Sequence, residues 1–341
     1  MNPHNNNHNS NDRTAMPKPD DQKNQIQGAI YGLLLGDAAG VPYEFNRPAQ
    51  LPTYADIDLC PPATFKRSYP NIPIATWSDD GAQALCLLAS LLHMQRFDRQ
   101  DFAQRLLNWY RVGYMAVDYE VFDVGIQTRE ALERMQAGQD IADIANRDEQ
   151  SNGNGALMRC LPLALWHRGT DQELVQWAEA QSHITHAHLR SKVCCAFYCL
   201  WARYLLQGQS VNSAWDRAYQ RLVELYQEQP QALFELTEHI VPAHDFKISG
   251  SGYVVDCLHS AKFALQQDNY IDVIKTAIAL GNDTDTTACV AGGLAGIVFG
   301  LTGIPKDWLL QLRGQALLSP LVQQLLQHLD QAVPHSLNRK S

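Results

Sequence analysis

Two apolar stretches of the sequence carry glycine at every fourth position, and this pattern restricts the fold more than any other feature. The stretches are residues 25–40 and residues 288–304. Their glycines are Gly32, Gly36 and Gly40 in the first and Gly292, Gly296 and Gly300 in the second. Residues four apart share one face of an α-helix, so each stretch predicts a helix with a face that lacks side chains. Because glycine permits close approach of two backbones, we expect these helices to pack against each other in the core.

The second stretch could instead cross a membrane. It contains no charged residue, and its glycines have the spacing found in associating transmembrane helices. However, it is short for a span, which needs about 20 residues. The acidic turn at 281–287 would also lie among the lipid headgroups. A buried central helix is therefore the favoured interpretation, and we expect no membrane partner.

The first glycine-striped helix also carries an acid on its inward face. Asp37 lies seven residues after Ile30, which the apolar pattern places inward. A buried acid needs a partner, and a hydrogen-bonded core carboxylate is the simplest interpretation. Packing of the two glycine faces would bring Asp37 close to the turn at 281–287. The same packing would bring in Glu44, from the proline-rich segment that follows.

Two acidic turns precede helical stretches in distant parts of the chain. Each turn could be ordinary helix capping, because Ser, Asp and Thr collect at helix N-termini. The neighbouring carboxylates would repel unless a cation or a helix N-terminus takes up their charge. Together the turns offer six oxygen ligands of the kind that hard divalent cations prefer, which suits a two-metal site. The six residues are Ser78, Asp79 and Asp80 in the first turn and Asp283, Asp285 and Thr286 in the second.

Composition limits the class of protein. The chain has 341 residues, of which 45% are hydrophobic, so it can bury a large core in one large or two ordinary domains. The formal net charge of −9, without an evident basic face, argues against nucleic acid as the main partner. None of the eight cysteines has metal-ligand spacing, which indicates a reducing compartment. With no apolar signal-peptide core at the N-terminus, we expect a cytoplasmic protein.

Periodicity predicts the fold class. No segment shows the run of alternating strands that a sheet requires, so we predict an all-α fold. We expect a compact single-domain orthogonal helical bundle over residues 25–333, with the two-metal site at its centre. Residues 1–24 are rich in Asn, His, Pro and charge and are predicted to be a disordered extension, either inert or able to fold onto a partner. The tail at 334–341 is predicted to fray.

Two loops of small residues could cradle an anionic ligand. The first, at 151–155, reads Ser-Asn-Gly-Asn-Gly and precedes an apolar helix. Glycine lets backbone N–H groups approach an anion, and a helix N-terminus adds favourable potential. The second loop, at 249–256, leads into another helix in the same way. Between them His183, His186 and His188 have a spacing that could suggest zinc, but the clustered acids favour a harder ion.

In their order along the chain, these motifs resemble those of the ADP-ribosylglycohydrolases. That family includes ADP-ribosylhydrolases and the dinitrogenase reductase-activating glycohydrolase. The resemblance spans residues 25–305, and the ordered set is far more specific than any single motif. The matching segments are 28–45, 77–80, 153–159, 185–186, 249–256 and 281–286.

The resemblance implies a metal-dependent hydrolase that removes ADP-ribose from a modified protein side chain, with arginine as the expected acceptor. Its partner would be an ADP-ribosylated protein. The six turn residues would hold two Mg²⁺ or Mn²⁺ ions, and Glu44 or Asp80 would move protons. The implied ligand contacts are Asn154, Gly155, His186, Ser251, Gly252 and Tyr253.

The chain departs from the family pattern in two places. Families of this kind usually carry Thr-Asp-Asp-Thr, whereas this chain has Ser at 78 and Gly81 at the last position. The serine keeps the hydroxyl ligand, but Gly81 removes a second hydroxyl and is expected to loosen the turn. The other departure is the polar extension at 1–24.

This extension makes a second class of function plausible. The protein could be an immunity protein or antidote that blocks an ADP-ribosyltransferase toxin by direct binding, with or without hydrolysis. A family member that has lost catalysis is a third alternative, which the four retained turn aspartates disfavour. The sequence leaves open the target protein, the acceptor residue, Mg²⁺ against Mn²⁺, and the oligomeric state.

Overall fold

The two glycine-striped helices pack against each other, as predicted. In the computed structural model, which describes residues 19–244 and 246–332, they are helix α1, Pro19–Gly40, and helix α12, Thr284–Phe299. A Cβ atom added to Gly36 would overlap the carbonyl oxygen of Ala288, and one added to Gly296 would overlap that of Gly28. The two backbones therefore touch directly. Later residues of α1 meet earlier residues of α12, so the helices run antiparallel.

The all-α prediction is confirmed. Among the described residues all regular secondary structure is helical, and the only sheet-like feature is one isolated bridge between Gly153 and Tyr253. The other helices are α2 Asp79–Met94, α3 Arg99–Val112, α4 Ile126–Gln136, α5 Leu161–Trp166, α6 Asp171–Ser182, α7 Leu189–Leu206, α8 Val211–Leu225, α9 Pro230–Phe234, α10 Val254–Ala264, α11 Tyr270–Ala279, α13 Lys306–Gln311 and α14 Gln315–Ala332.

Helix α12 lies inside this bundle. It is buried along most of its length, beside α1 and the similarly buried α7. The Tyr198 hydroxyl of α7 donates to the Val290 carbonyl at 2.9 Å, and Tyr270 of α11 donates to the Gly32 carbonyl at 2.7 Å. No helix in the described part of the chain combines the length and apolar character needed to cross a membrane. The first turns of α2 and α12 meet at one side of the core.

Helix α1 begins earlier than the sequence analysis placed it. It starts at Pro19, so the last six residues of the predicted extension are helical. Lys23 forms an ion pair with Asp330 of α14 at 2.7 Å, and Asn24 donates to the Thr302 hydroxyl. These long-range partners explain why residue composition alone did not reveal the helix. Residues 1–18 and 333–341 lie outside the described residues, so the blocking role of the extension and the fraying of 334–341 stay predictions.

Candidate active site

The two acidic turns, more than 200 residues apart in sequence, meet in one place. Ser78 caps the N-terminus of α2 and Asp283 stands at the N-cap position of α12. The Thr286 hydroxyl donates to Asp80 Oδ1 at 3.3 Å across the gap between the turns. The potential of each helix N-terminus favours negative charge here. The packing of α1 against α12 thus assembles what are two separate motifs in the sequence.

Glu44 joins the second turn directly. One carboxylate oxygen from each of Glu44, Asp283 and Asp285 lies within 4.8 Å of the other two. Glu44 follows a short 3₁₀ helix, Val41–Tyr43, that continues from α1, and its carbonyl accepts from the Ser68 hydroxyl. The predicted approach of Glu44 to the turn at 281–287 is therefore observed. Its carboxylate stands among the predicted metal ligands.

Three acids of the site, Glu44, Asp80 and Asp285, are buried without compensating positive charge. Glu44 Oε2, Asp80 Oδ2 and Asp285 Oδ2 are buried and have no hydrogen-bond partner. Among the described residues no lysine, arginine or histidine forms an ion pair with these acids. Burial, followed by the neighbouring carboxylates, raises the pKa of each of these three carboxyls well above its ordinary range. Orphaned oxygens of this kind fit divalent cations.

Asp37 holds the first turn in place. Its carboxylate accepts from the backbone N–H of Ser78 at 2.9 Å and from that of Gly81 at 2.8 Å. Burial raises its pKa to about 7, although these hydrogen bonds lower it. A Cβ atom at Gly81 would lie 2.6 Å from Leu34 Cδ2 and 2.9 Å from Trp77. Asp37 and the tight packing around Gly81 hold this turn, whereas the expected loosening by the glycine stays a prediction.

A buried arginine supports two walls of the site. Arg159 Nη1 donates to Gln83 Oε1 at 2.7 Å, and Gln83 Nε2 donates to Asp79 Oδ2 at 2.9 Å. Arg159 Nη2 also donates to the Thr185 hydroxyl at 2.8 Å. The same hydroxyl oxygen lies 2.8 Å from His186 Nδ1. Burial lowers the pKa of Arg159 to about 10. Arg159 is thus a structural residue that orients Asp79 and His186.

His186 presents a neutral ring to the cavity beside the acids. Burial, with the charge of Arg159, lowers its pKa to about 3. The Thr185 hydroxyl, which accepts from Arg159, lies 2.8 Å from Nδ1 of His186. When this hydroxyl donates to Nδ1, the ring proton stands on Nε2. A Cβ atom at Gly155 would lie 2.9 Å from His186 Cε1, so only glycine leaves room for this ring.

The two small-residue loops pair with each other. Asn154 N–H donates to the Gly252 carbonyl at 3.0 Å, and Val254 N–H donates to the Asn152 carbonyl at 2.9 Å. The Asn154 side chain donates to Asp283 Oδ2 at 2.9 Å, which ties the loops to the acidic cluster. Of the three residues predicted in the second loop, Gly252 and Tyr253 line the cavity. The Ser251 hydroxyl instead donates to Asp256 Oδ2 at 2.5 Å.

The acids and the paired loops enclose a cavity of about 810 Å³. Its volume is in the range of cavities that hold cofactor-sized ligands. Its floor is acidic, and no lysine or arginine of the described chain lines it. Any anionic part of a ligand must therefore be neutralised by backbone N–H groups, neutral donors such as His186, or bound cations.

Asp123 is a site residue that the sequence analysis missed. It lines the same cavity as Glu44, and the Tyr69 hydroxyl donates to its Oδ1 at 2.8 Å. Burial raises its pKa, and Asp283 raises it further. Asp123 lies in an irregular segment and has a left-handed φ of 55°. No periodicity or spacing marks it, so the sequence carried no local signal for its role.

Comparison with known proteins shows which proteins this chain is similar to. The sequence model for "ADP-ribosylglycohydrolase" matches residues 18–334. ADP-ribosylarginine hydrolase Tri1 from Serratia proteamaculans is 32% identical over 303 residues, which cover 88% of this chain and 78% of the relative. The ADP-ribosyl-[dinitrogen reductase] glycohydrolase from Rhodospirillum rubrum is 28% identical over 287 residues, which cover 84% of this chain and 89% of the relative. A solved "ADP-ribosylglycohydrolase-related protein complex" aligns with a TM-score of 0.69 and 28% identity over 91% of this chain and 99% of that chain.

Proposed function

Because the chain belongs to the ADP-ribosylglycohydrolase family, we propose that it is a hydrolase of the bond between ADP-ribose and an arginine side chain of a modified protein. The observation that carries this proposal is the cluster of unpaired buried carboxylates at the floor of a cavity of about 810 Å³. The similarity to an ADP-ribosylarginine hydrolase supports arginine as the acceptor. The acidic cavity also suits a cationic guanidinium.

Six residues are proposed to hold two Mg²⁺ or Mn²⁺ ions: Ser78, Asp79, Asp80, Asp283, Asp285 and Thr286. The free Oε2 of Glu44 lies with this set, so Glu44 is proposed as a further ligand or as a base beside it. When bound, divalent cations would polarise sugar hydroxyls and a nucleophilic water. The chain's own contribution is to fix the ligand oxygens, since Gln83 orients Asp79 and Thr286 orients Asp80.

The proton transfers are assigned to residues that face the cavity. Glu44 and Asp80 remain candidates, and the geometry adds Asp123, which the Tyr69 hydroxyl holds in place. Burial and the neighbouring Asp283 raise the pKa of Asp123, which favours the protonated form that a general acid needs. The Nε2–H of His186 is available as a neutral donor to a ribose or phosphate oxygen. Asn154, Gly155, Gly252 and Tyr253 would form the walls that position the ligand, whereas the Ser251 side chain would support its loop.

Metal removal tests this function. We expect the wild-type protein to release ADP-ribose from an arginine-ADP-ribosylated protein in the presence of Mg²⁺ and to lose this activity in EDTA. Adding Mg²⁺ back should restore the release, which controls for irreversible unfolding by the chelator. Chromatography of free ADP-ribose measures the outcome. Equal release with and without EDTA would contradict the metal-dependent proposal, and no release under either condition would contradict the choice of acceptor.

Arg190 is expected to position the Tyr253 wall of the cavity. This buried side chain donates to the Tyr253 hydroxyl at 3.1 Å and to Glu235 at 2.7 Å, and it lies 3.5 Å from Glu149 of the neighbouring loop. Arg190→Met removes all three interactions and leaves Tyr253 free to turn. Because hydrogen bonds to charged groups contribute about 1.5–3 kcal/mol, ADP-ribose should bind roughly tenfold more weakly in calorimetric titrations.

A matched control exists on α8. Arg221 also contacts two acids, Asp171 at 3.3 Å and Glu224 at 2.6 Å, but it lies outside the cavity. Arg221→Met should therefore bind ADP-ribose as the wild type does. If Arg190→Met binds ADP-ribose equally well, Tyr253 does not need Arg190 to form the cavity wall.

A further inference from the structure

We propose that Phe45 recognises the acceptor side of the substrate by stacking its ring on the guanidinium of the ADP-ribosylated arginine. This inference rests on the proposed function and goes beyond it, because it assigns a residue to the part of the substrate that is not ADP-ribose. Three observations carry it: the backbone conformation of Phe45, its exposure at the cavity mouth, and its place beside the acidic cluster.

The backbone of Phe45 is in a conformation that favours glycine. Its φ is 61°, which costs a non-glycine residue about 1–2 kcal/mol. The conformation is fixed from the second acidic turn: Phe45 N–H donates to the Asn282 carbonyl at 2.6 Å, and Asn282 N–H donates to the Asn46 carbonyl at 2.7 Å. Strained backbones of this kind cluster at functional sites. The fold alone would favour glycine at 45, so the aromatic side chain calls for another explanation.

Core packing does not supply that explanation. Phe45 is 70% exposed, and one neighbouring ring, that of Tyr69, lies 6.2 Å away between centroids. Phe45 nevertheless lines the cavity, as does Ile126, which is 65% exposed. The mouth of the cavity therefore presents two exposed apolar side chains above an acidic floor. This combination suits a flat, weakly hydrated cation better than it suits an aliphatic or anionic group.

The position of Phe45 selects the arginine end of the substrate. It directly follows Glu44, whose carboxylate lies in the acidic cluster, and its neighbour Tyr69 holds Asp123. The scissile bond has to lie near these carboxylates, so the side chain leaving that bond passes Phe45 at the mouth. Guanidinium groups stack well on aromatic faces. Among the described residues no arginine or lysine of the chain itself lies over the Phe45 ring.

Adenine is the other flat group of the substrate that could stack on Phe45. The adenine is separated from the scissile bond by two riboses and the diphosphate, whereas Phe45 is adjacent to the acids. We therefore assign the ring to the guanidinium. The two assignments differ in one measurable respect: only a ring that stacks on adenine contributes to the binding of free ADP-ribose.

The test compares Phe45→Leu, which keeps an apolar side chain but removes the aromatic face, with Phe45→Tyr, which keeps the face. For an arginine-ADP-ribosylated peptide we expect KM to rise between about threefold and tenfold in Phe45→Leu and to stay near the wild-type value in Phe45→Tyr. The dissociation constant of ADP-ribose should be unchanged in both variants. Thermal unfolding confirms that each variant is folded.

Each other outcome overturns the proposal. Weaker ADP-ribose binding by Phe45→Leu would show that the ring stacks on adenine or maintains the shape of the ADP-ribose site. An unchanged KM in Phe45→Leu, with active wild-type protein, would show that the ring has no part in acceptor recognition, while the proposed function stands. A wild-type protein that releases nothing from arginine would overturn the proposed function, and this inference with it.

Discussion

Asp285→Asn is expected to abolish metal-dependent release of ADP-ribose and, at the same time, to stabilise the metal-free protein. Asp285 is fully buried, its Oδ1 accepts from the Thr286 N–H, and its Oδ2 has no partner. Because Asp285 is proposed to coordinate a metal ion directly, its loss should have a larger effect than the 10- to 100-fold typical of supporting residues, and activity should fall by at least about 100-fold. Asparagine has nearly the same shape but removes an ionisable group from a buried cluster that lacks positive charge.

The order of stability should therefore depend on the metal. In EDTA the variant should unfold at a higher urea concentration than the wild type, because asparagine avoids the cost of burying this carboxyl, either as an unpaired charge or by taking up a proton on folding. With Mg²⁺ at 100 times its dissociation constant, the wild type gains about 2.7 kcal/mol from binding, and the variant gains much less. The two urea unfolding curves should thus exchange places when Mg²⁺ is added.

Asp256→Asn is the matched control for this prediction. Asp256 is also buried, but it accepts hydrogen bonds from Ser249 N–H at 2.9 Å and from Ser251 N–H at 2.8 Å. Removing a well-satisfied carboxylate should destabilise the protein both with and without Mg²⁺. If Asp285→Asn behaves like Asp256→Asn in EDTA, the burial of Asp285 does not destabilise the metal-free protein.

Gly296→Ala is expected to destabilise the protein by roughly 3 kcal/mol or more. In an ordinary helix this change would be favourable by about 1 kcal/mol, because alanine is the better helix former. Here the added Cβ would overlap the Gly28 carbonyl oxygen and lie 2.7 Å from the Ala29 nitrogen. These atoms belong to the backbone of α1 and cannot move aside as a side chain can. The overlap therefore outweighs the gain in helix propensity.

Urea unfolding followed by circular dichroism measures this effect. Gly125→Ala is the control, since Gly125 has a φ of −56° and an added Cβ would have Thr128 Oγ1, at 3.9 Å, as its nearest neighbour. That variant should unfold close to the wild type. Glu44 follows α1, and the second acidic turn stands at the start of α12. A shift of the two helices should therefore also move these acids, so Gly296→Ala should lower activity. A Gly296→Ala protein as stable as the wild type would mean that the two helices can separate at little cost.

Much of the fold was predictable because its signals are local and periodic. Four-residue glycine spacing is a property of one helix face, and this spacing alone predicted the contact between α1 and α12. The acidic turns were recognisable for a similar reason, since Ser78 and Asp283 stand where helices begin. The family resemblance placed the second loop beside the ligand, and the structure brings Gly252 and Tyr253 to the cavity wall.

Other features were decided only by the tertiary structure. Asp123 reaches the site from an irregular segment with a left-handed backbone, which has no repeat for a sequence pattern to reveal. The early start of α1 depends on Lys23 meeting Asp330, more than 300 residues away. The direction of the Ser251 hydroxyl depends on its bond to Asp256. The sequence by itself therefore determined the all-α class, the two glycine-striped helices and the motifs at helix starts, because helix periodicity and capping act over a few residues. The tertiary structure decided which carboxylates share one buried volume without a counter-charge, because that depends on how distant segments pack.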